Sequence, residues 1–271
     1  MVRSTLGALG LLSTARAARK NFQTIVGLLR YRVNVVRFWR AAGSLPIPPL
    51  KLNFAVTNTV DVEWYVKSGR LAAQSIRLAL DRNRIAIDDF AAILDFGCGS
   101  GRAIRYWRNL RAAVHGTDYN PELIRWCQRS LSFAKFQVNN IDPPLRYPSD
   151  SFDLVYALSV FTHLDHARQL SWMDELRRVV KPGRYVIFTT HGDCPFYTES
   201  MTRSELAQFR AGELLLRPAG TIGSNQYSAY HPEAYVRSTL ARGFTVVSYL
   251  EGGAFGNPYQ DLYLLKKLQI E

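Results

Sequence analysis

Glycines at alternate positions follow a short apolar run in residues 94–102, LDFGCGSGR. The run from Ala91 to Leu94 is typical of a buried strand, and residues 102–110 contain neither Gly nor Pro, so the glycines are predicted to form the turn between a strand and a helix. Without side chains, such a turn lets the backbone approach a ligand closely, and the N–H groups of the following helix attract negative charge. The segment therefore predicts a strand–turn–helix unit that binds a nucleotide-like cofactor.

Asp118 is the predicted partner of this turn. It lies 23 positions after Asp95 (118 − 95), at the end of a second apolar run over residues 112–116. In doubly wound folds the second strand ends beside the first glycine turn, where its terminal carboxylate accepts hydrogen bonds from ribose hydroxyls. Asn120 and Pro121 then predict a helix start, as N-cap and first helical residue.

The spacing of the glycines distinguishes two classes of cofactor. Nicotinamide enzymes usually carry G-x-G-x-x-G at this turn, whereas this chain has Gly97-x-Gly99-x-Gly101, preceded by an acid at Asp95 and followed by Arg102. This pattern resembles the first motif of the class I S-adenosylmethionine-dependent methyltransferases, acid-x-Gly-x-Gly-x-Gly. The resemblance implies S-adenosylmethionine as cofactor.

Further segments match this family in order: predicted strands at residues 134–138, 151–159 and 185–190, and a final hairpin at residues 243–250 and 260–267. The resemblance implies an α/β, Rossmann-like fold with a seven-stranded, mostly parallel sheet of order 3-2-1-4-5-7-6 and helices on both faces. A helix over residues 61–80 is expected before the first strand. We assign residues 51–271 to the methyltransferase domain. Residues 192–230 are expected to be an insertion that shapes the substrate pocket, or equally a surface helix over residues 204–216 packed on the domain.

The resemblance also implies roles for individual residues around the cofactor. The three glycines would wrap its methionine portion, Asp95 would orient the loop and the cofactor ammonium, and Asp118 would hold the ribose. Residues after the third strand would contact the adenine, and backbone groups after the fourth strand would accept from the ammonium. Asp142 is equally well explained as a turn residue, because Pro143 and Pro144 follow it. The expected cofactor-binding residues are Asp95, Gly97, Gly99, Gly101, Asp118, Ile141, Asp142, Leu158 and Ser159.

Three histidines follow predicted strands or begin a late helix, and histidine is the usual acid or base near neutral pH. His163 matches a histidine found in many members of the family, which favours a structural or cofactor-adjacent role. His191, directly after the fifth strand, is the preferred catalytic base. His231 is a second catalytic candidate, although it precedes Pro232 and Glu233 and is equally suited to starting a helix.

No metal site is predicted. The catechol-type members of the superfamily hold a divalent ion with acids and an amide after the fourth and fifth strands, where this chain has Leu158-Ser159 and Thr190-His191. Cys98, Cys127 and Cys194 are odd in number and lack metal-ligand spacing, which indicates three reduced thiols in a cytosolic-type compartment.

The first fifty residues carry cations and no acid, and the first acidic residue of the chain is Asp61. Apolar residues recur between the cations, which predicts a basic amphipathic helix and then a stiff Pro-rich link at residues 46–49. Such a helix suits an anionic membrane surface, nucleic acid, docking on its own domain, or an organelle transit peptide. We expect a cytoplasmic protein with peripheral membrane contact through residues 1–45. The cations are Arg3, Arg16, Arg19, Lys20, Arg30, Arg32, Arg37 and Arg40.

Three functional classes follow from these patterns. The first is methyl transfer to an oxygen or nitrogen of a small molecule, such as a sugar, a lipid-linked compound or a secondary metabolite. The second is nucleic-acid methylation, which the basic N-terminal region favours but which the sequence Ala157-Leu158-Ser159-Val160 disfavours, because amino-methylating DNA enzymes carry Asn-Pro-Pro-Tyr there. The third is a membrane-associated binding protein that keeps the fold without turnover.

Overall fold

Helices and strands alternate through the computed structural model, which describes residues 26–269. The helices are residues 26–38 (α1), Leu50–Thr57 (α2), Val62–Asp81 (α3), Pro121–Ser130 (α4), His166–Val179 (α5), Pro195–Thr198 (α6), Arg203–Arg210 (α7) and Glu233–Tyr235 (α8), the last continued by a π-helical turn over Val236–Leu240. The strands are Ala92–Phe96 (β1), Ala113–Asp118 (β2), Ala134–Val138 (β3), Phe152–Ala157 (β4), Val180–His191 (β5), Leu215–Pro218 (β6), Tyr227–Tyr230 (β7), Phe244–Leu250 (β8) and Gln260–Lys267 (β9).

Seven of the strands form the principal sheet, in the order β3-β2-β1-β4-β5-β9-β8. The first five are parallel, whereas β9 runs antiparallel to β5 and β8 antiparallel to β9. Since β8 and β9 are the sixth and seventh predicted strands, the predicted order 3-2-1-4-5-7-6 is confirmed. The short hairpin of β6 and β7 was not predicted, and it joins the end of β5 through the pair His191 and Tyr230.

Helices cover both faces of this sheet, as its alternating side chains require. Ile93 of β1 packs into a core with α3 and α4, and the next residue, Leu94, packs into a second core with α5. The helix α3 begins at a side-chain cap, because the Asp61 carboxylate accepts hydrogen bonds from the Glu63 and Trp64 N–H groups. The two cores fix β1 between β2 and β4 and hold its carboxyl end in place.

The prediction of a helix over residues 102–110 is wrong. Only one turn of 3-10 helix forms there, over Ile104–Trp107. Ala103, Ile104, Arg105 and Trp107 are all buried, and only Arg108 and Asn109 at its end are exposed, so the segment lacks the continuous solvent-facing side of an amphipathic α-helix. The Trp107 indole N–H donates to the Tyr156 hydroxyl at 2.8 Å, which fixes the turn against the sheet.

The described part of the N-terminal region packs on the domain. Tyr31, Val35 and Phe38 of α1 join a small core with Val62 and Tyr65 of α3. The Tyr31 hydroxyl donates to the Pro48 carbonyl at 2.5 Å. The predicted cations at positions 3, 16, 19 and 20 lie outside the described residues. Within residues 26–269, no helix is both long and apolar enough to cross a bilayer.

Candidate functional site

A cavity of about 310 Å³ lies at the carboxyl ends of β1, β2 and β4. The order of the strands reverses at β1, which pairs with β2 on one side and β4 on the other. In open α/β sheets this switch point leaves a crevice, because the connections on its two sides lead to opposite faces. Asp95, Gly97, Gly99 and Asp118 line the cavity. The structure does not bring Gly101 to it, because Gly101 packs against Leu131 and Ile104 instead.

The glycine turn has a backbone that other residues do not tolerate. Gly97 and Gly101 have φ angles of +78° and +75°. A Cβ atom added to Gly97 would overlap Val160 Cγ2, and one added to Gly101 would overlap Leu131 Cδ1. The Gly97 N–H donates to the Thr117 carbonyl at 2.8 Å. Conformation and close packing therefore both require glycine, and the turn is held against β2 before any ligand binds.

Asp118, at the end of β2, connects the turn to the start of α4. Its Oδ2 accepts from the Gly99 N–H at 2.9 Å and its Oδ1 accepts from the Asn120 N–H at 2.8 Å. Burial raises the pKa of this carboxyl from 3.8 to about 6, although the two hydrogen bonds act in the opposite direction. Each oxygen keeps a lone pair beyond its backbone donor, so the carboxylate can still accept from a ligand.

Asp95, at the end of β1, is only 3% exposed and lines the same cavity. Burial raises its pKa to about 7, and this effect outweighs a hydrogen bond with Tyr156 and the attraction of the Arg102 guanidinium. A carboxyl group of this kind is poised to ionise when a cation enters the cavity.

Arg102 is the one arginine or lysine among the described residues that line the cavity. Its Nη1 donates to the Gly256 carbonyl at 2.9 Å and its Nη2 donates to the Asn257 Oδ1 at 3.0 Å. These bonds tie the turn to the loop between β8 and β9. With Asp95 and Asp118, the cavity thus contains two carboxyl groups and one guanidinium.

The segment after β3 is divided between the cavity and the surface. Ile141 lines the cavity, and its carbonyl accepts from the Trp172 indole N–H at 3.0 Å. Asp142 instead lies on the surface with its side chain 56% exposed, and its Oδ1 is 2.8 Å from Arg168 Nε. The structure therefore does not bring Asp142 to the cavity. Asn139 and Asn140, which the sequence analysis did not select, line it.

The segment after β4 supplies Leu158 and Ser159 to the cavity. Ser159 has a φ of +60°, and its N–H donates to the Thr189 hydroxyl at 2.7 Å. Its own hydroxyl accepts from the Gln260 Nε2 at 2.8 Å. These contacts hold the end of β4 against β5 and β9 and fix the adjoining wall of the cavity.

Two segments that are far apart in sequence roof the cavity. Ala55 and Val56 of α2 lie on one side, and residues 223–225, between β6 and β7, lie on the other. The Asn225 Nδ2 donates to the Ala55 carbonyl at 3.3 Å, and the Tyr119 hydroxyl donates to the Gly223 carbonyl at 3.0 Å. The stretch over residues 192–230 therefore contributes to the cavity wall.

The sequence analysis preferred His191 and then His231 as the catalytic base, but neither of them lines the cavity. Only His163 lines the cavity; its Nδ1 lies 2.8 Å from the Tyr227 carbonyl. His191 is buried behind it, with ring centres 6.5 Å apart, and its Nε2 lies 3.3 Å from the Gln260 Nε2. His231 is fully buried. Burial lowers the pKa of His191 and of His231 to about 3, so both are neutral at physiological pH.

Metal centres and nucleophilic thiols are two other kinds of reactive site. Across residues 26–269, no group of three or more His, Cys, Asp or Glu side chains is arranged to hold a metal ion. The three cysteines are free thiols, and burial raises the pKa of the Cys98 thiol. The Cys98 thiol, which lies within the glycine turn, is therefore a poor nucleophile.

Known proteins resemble this chain in sequence. Residues 94–188 match a family model described as "Methyltransferase domain". Malonyl-[acyl-carrier protein] O-methyltransferase from Salmonella typhimurium is 31% identical over 101 residues, which are 37% of this chain and 39% of that protein. Trans-aconitate 2-methyltransferase from Azoarcus sp. is 34% identical over 131 residues, which are 46% and 48% of the two chains. The chain thus spans less than half of the length of these relatives.

A solved structure shows the same fold. The crystal structure of a SAM-dependent methyltransferase from Methanosarcina mazei is 25% identical, with a TM-score of 0.52 over 68% of this chain and 95% of that one. This likeness and the matching family model agree with the sheet order and the glycine turn, and S-adenosylmethionine is the cofactor that they imply. The chain therefore carries a class I S-adenosylmethionine-dependent methyltransferase domain.

Proposed function

We propose that the protein transfers a methyl group from S-adenosylmethionine to an oxygen or nitrogen atom of a small-molecule acceptor. The observation that carries the proposal is the charge pattern of the cavity. S-adenosylmethionine carries an ammonium, a sulfonium and a carboxylate, and the cavity offers two carboxyl groups, Asp95 and Asp118, and one guanidinium, Arg102. Asp95 and Arg102 complement the ammonium and the carboxylate, and Asp118 complements the ribose hydroxyls, whereas a dinucleotide would bring two phosphates to a cavity with one guanidinium.

The expected cofactor contacts fit this cavity. Asp118 would accept from the ribose hydroxyls, and Asp95 would ionise beside the ammonium. Gly97 and Gly99 leave room for the methionine portion, and Ile141 offers an apolar contact for the adenine. Leu158 and Ser159 lie at the end of β4, where backbone carbonyls would accept from the ammonium. Asp142 has no place in this arrangement, because its carboxylate pairs with Arg168 outside the cavity.

We propose His163, rather than His191 or His231, as the group that accepts a proton, because it alone of the three lines the cavity. A carbonyl oxygen only accepts hydrogen bonds, so the contact with Tyr227 assigns the proton of the neutral ring to Nδ1 and leaves a lone pair on Nε2. Burial lowers the pKa of His163, which keeps this tautomer neutral at physiological pH. In His191, by contrast, the Nε2 lone pair faces the Gln260 amide, which occupies it.

The transfer step needs alignment more than covalent chemistry. Bound S-adenosylmethionine would supply an activated methyl group: the acceptor oxygen or nitrogen would bond to the methyl carbon as the carbon–sulfur bond broke, and the electron pair of that bond would stay on sulfur to give S-adenosylhomocysteine. If the acceptor begins as a hydroxyl or an amine, its proton moves to the Nε2 of His163. The roof formed by α2 and residues 223–225 would exclude water and hold the acceptor in line.

The relatives suggest where a search for the acceptor should begin. The acceptors named for them, a malonyl group and trans-aconitate, are carboxylic acids. A carboxylate has already lost its proton, so its methylation requires no base. Carboxylic acids and alcohols therefore make different demands on His163, and this difference can be measured.

The first experiment is isothermal titration of the full chain with S-adenosylmethionine and with S-adenosylhomocysteine. Saturable binding of both is expected, and a folded protein that binds neither would refute the proposal. Transfer of labelled methyl groups is then measured against a panel of acids, alcohols and amines. Binding without transfer to any small molecule or to RNA and DNA would favour a non-catalytic protein of this fold.

The role of His163 is tested with His163→Gln, which keeps a polar side chain of similar length. With an alcohol or amine acceptor, we expect a large loss of kcat with little change in cofactor affinity, because base catalysis contributes about 100- to 10,000-fold. With a carboxylate acceptor, little loss is expected. His231→Phe is the matched control, since His231 is buried away from the cavity. A His163→Gln enzyme with the wild-type kcat on an alcohol would exclude the assignment.

A further inference from the structure

The helix α1 has two apolar faces, and the residues that the structure describes, 26–269, cover only one of them. Tyr31 and Phe38, seven residues apart, pack on α3. Leu29, Val33 and Val36 have the same helical spacing on the opposite side and are exposed to 57%, 66% and 77%. Burial of one apolar face is enough to hold an amphipathic helix in place, and the opposite face is normally polar. An exposed aliphatic row on that opposite face is therefore unusual.

Arginines border the exposed row on both sides. At 100° per residue, Arg30 and Arg37 lie on one flank of the row and Arg32 lies on the other. All three are exposed. The chain has no acidic residue before Asp61, so the nearby sequence supplies no carboxylates to neutralise these cations. The exposed face of α1 therefore combines an aliphatic centre with a cationic border.

We propose that the exposed face of α1 binds the surface of an anionic lipid bilayer. The helix would lie in the plane of the membrane, with Leu29, Val33 and Val36 among the upper acyl chains and the arginines at the lipid phosphates. This occupant matches both parts of the face. A second copy of the chain would oppose arginine to arginine, and a nucleic acid would place phosphates over the aliphatic row.

The docked face connects this membrane contact to the domain that holds the cavity. Tyr31 packs beside Tyr65 of α3, whose hydroxyl donates to the Ser100 carbonyl in the glycine turn at 3.0 Å. Downstream of α1, residues 39–49 lead directly to α2, which supplies Ala55 and Val56 to the cavity roof. A bilayer bound at α1 would therefore lie against the part of the domain that is connected to the roof.

The test is flotation of the full chain with vesicles of phosphatidylcholine alone and of equimolar phosphatidylcholine and phosphatidylglycerol. We expect binding to the anionic vesicles that weakens as salt increases. The variant L29S/V33S/V36S should lower the partition coefficient on the order of 100-fold, because it removes three buried aliphatic contacts. The variant R30Q/R32Q should lower it on the order of 30-fold at low salt, at about 1 kcal/mol for each arginine.

The matched control is V60S/V138S/L268S, which changes three exposed aliphatic residues outside α1. It should float as the wild type does. Circular dichroism and S-adenosylmethionine titration of each variant separate a loss of folding or of cofactor binding from a loss of membrane contact. The proposal fails if the wild type does not float with anionic vesicles, or if L29S/V33S/V36S floats equally well. It also fails if light scattering shows a dimer, or gel shift an RNA complex, that depends on this face in place of vesicle binding.

Discussion

Substitution of Asp118 by alanine separates two roles of its carboxylate. One role is in hydrogen bonds within the protein, and the other, in the proposed function, is in binding the cofactor ribose. In the fold it accepts from the Gly99 and Asn120 N–H groups. The rise of its pKa from 3.8 to about 6 corresponds to about 3 kcal/mol that disfavours the ionised form. This raised pKa makes a contribution to stability that is present below pH 3.8 and is lost as the pH rises through about 6. Asp118→Ala should therefore destabilise the protein less at pH 8 than at pH 5.

Cofactor binding should respond in the opposite way. At pH 8 the wild-type carboxylate is ionised and, in the proposed arrangement, accepts from the ribose hydroxyls. Its removal leaves these hydroxyls unpaired in a closed cavity, which costs about 1 to 3 kcal/mol, or a Kd about 5- to 150-fold higher. At pH 8, Asp118→Ala should therefore change the Kd for S-adenosylmethionine strongly and the free energy of unfolding only slightly.

Isothermal titration with S-adenosylmethionine at pH 8 measures the affinity, and urea unfolding at pH 5 and pH 8 measures the stability. Asp142→Ala is the matched control, since Asp142 lies at the same edge of the sheet with its carboxylate paired to Arg168 at the surface. Its Kd should stay within about twofold of the wild-type value. A wild-type Kd in a folded Asp118→Ala protein, or an equal loss in Asp142→Ala, would refute the reasoning.

Three further predictions concern the glycine turn and its neighbours. S-adenosylmethionine should bind more tightly as the pH rises through about 7, because its cations favour ionised Asp95, and calorimetry should show that protons are released. Asp95→Asn should remove this pH dependence, and a flat wild-type profile would contradict the prediction. Gly101→Ala should lower the free energy of unfolding by about 1 to 3 kcal/mol in urea, because φ is +75° and the new Cβ would meet Leu131; an unchanged midpoint would count against it. Asp61→Ala should cost about 1 kcal/mol in the same assay through loss of the α3 cap, with no change in cofactor Kd.

Much of the sheet could be predicted because its signals are local. The bounds of β3 and β9 agree with the predicted strands at residues 134–138 and 260–267. Asn120 caps α4 with Pro121 at its first position, as the residue types indicate. The family resemblance then supplied the order of the strands, which no local pattern contains.

The errors arose where tertiary packing decides the local structure. Residues 102–110 lack helix breakers, yet burial on several sides limits them to one 3-10 turn. Ala55 and Val56 line the cavity without any distinctive sequence signal. His163 and His191 both follow strands, and only the short turn over Phe161–His163 and its contacts with residues 223 and 227 bring the first of them to the cavity. A histidine after a strand can be found in the sequence, but the direction of its ring cannot.

The roof of the cavity has a kinetic consequence. Its two sides meet through the Asn225 and Ala55 hydrogen bond, and a few similar bonds, such as that of Tyr119 to Gly223, hold the loop down. Each is worth about 1 kcal/mol net, so thermal fluctuations separate the two sides often. On the proposed function, we expect cofactor and product to exchange by a frequent local opening rather than by unfolding of the domain. If the proposed function is right, the rate of S-adenosylhomocysteine release should rise when Asn225 loses its amide, even though that residue lies outside the primary methyltransferase motifs.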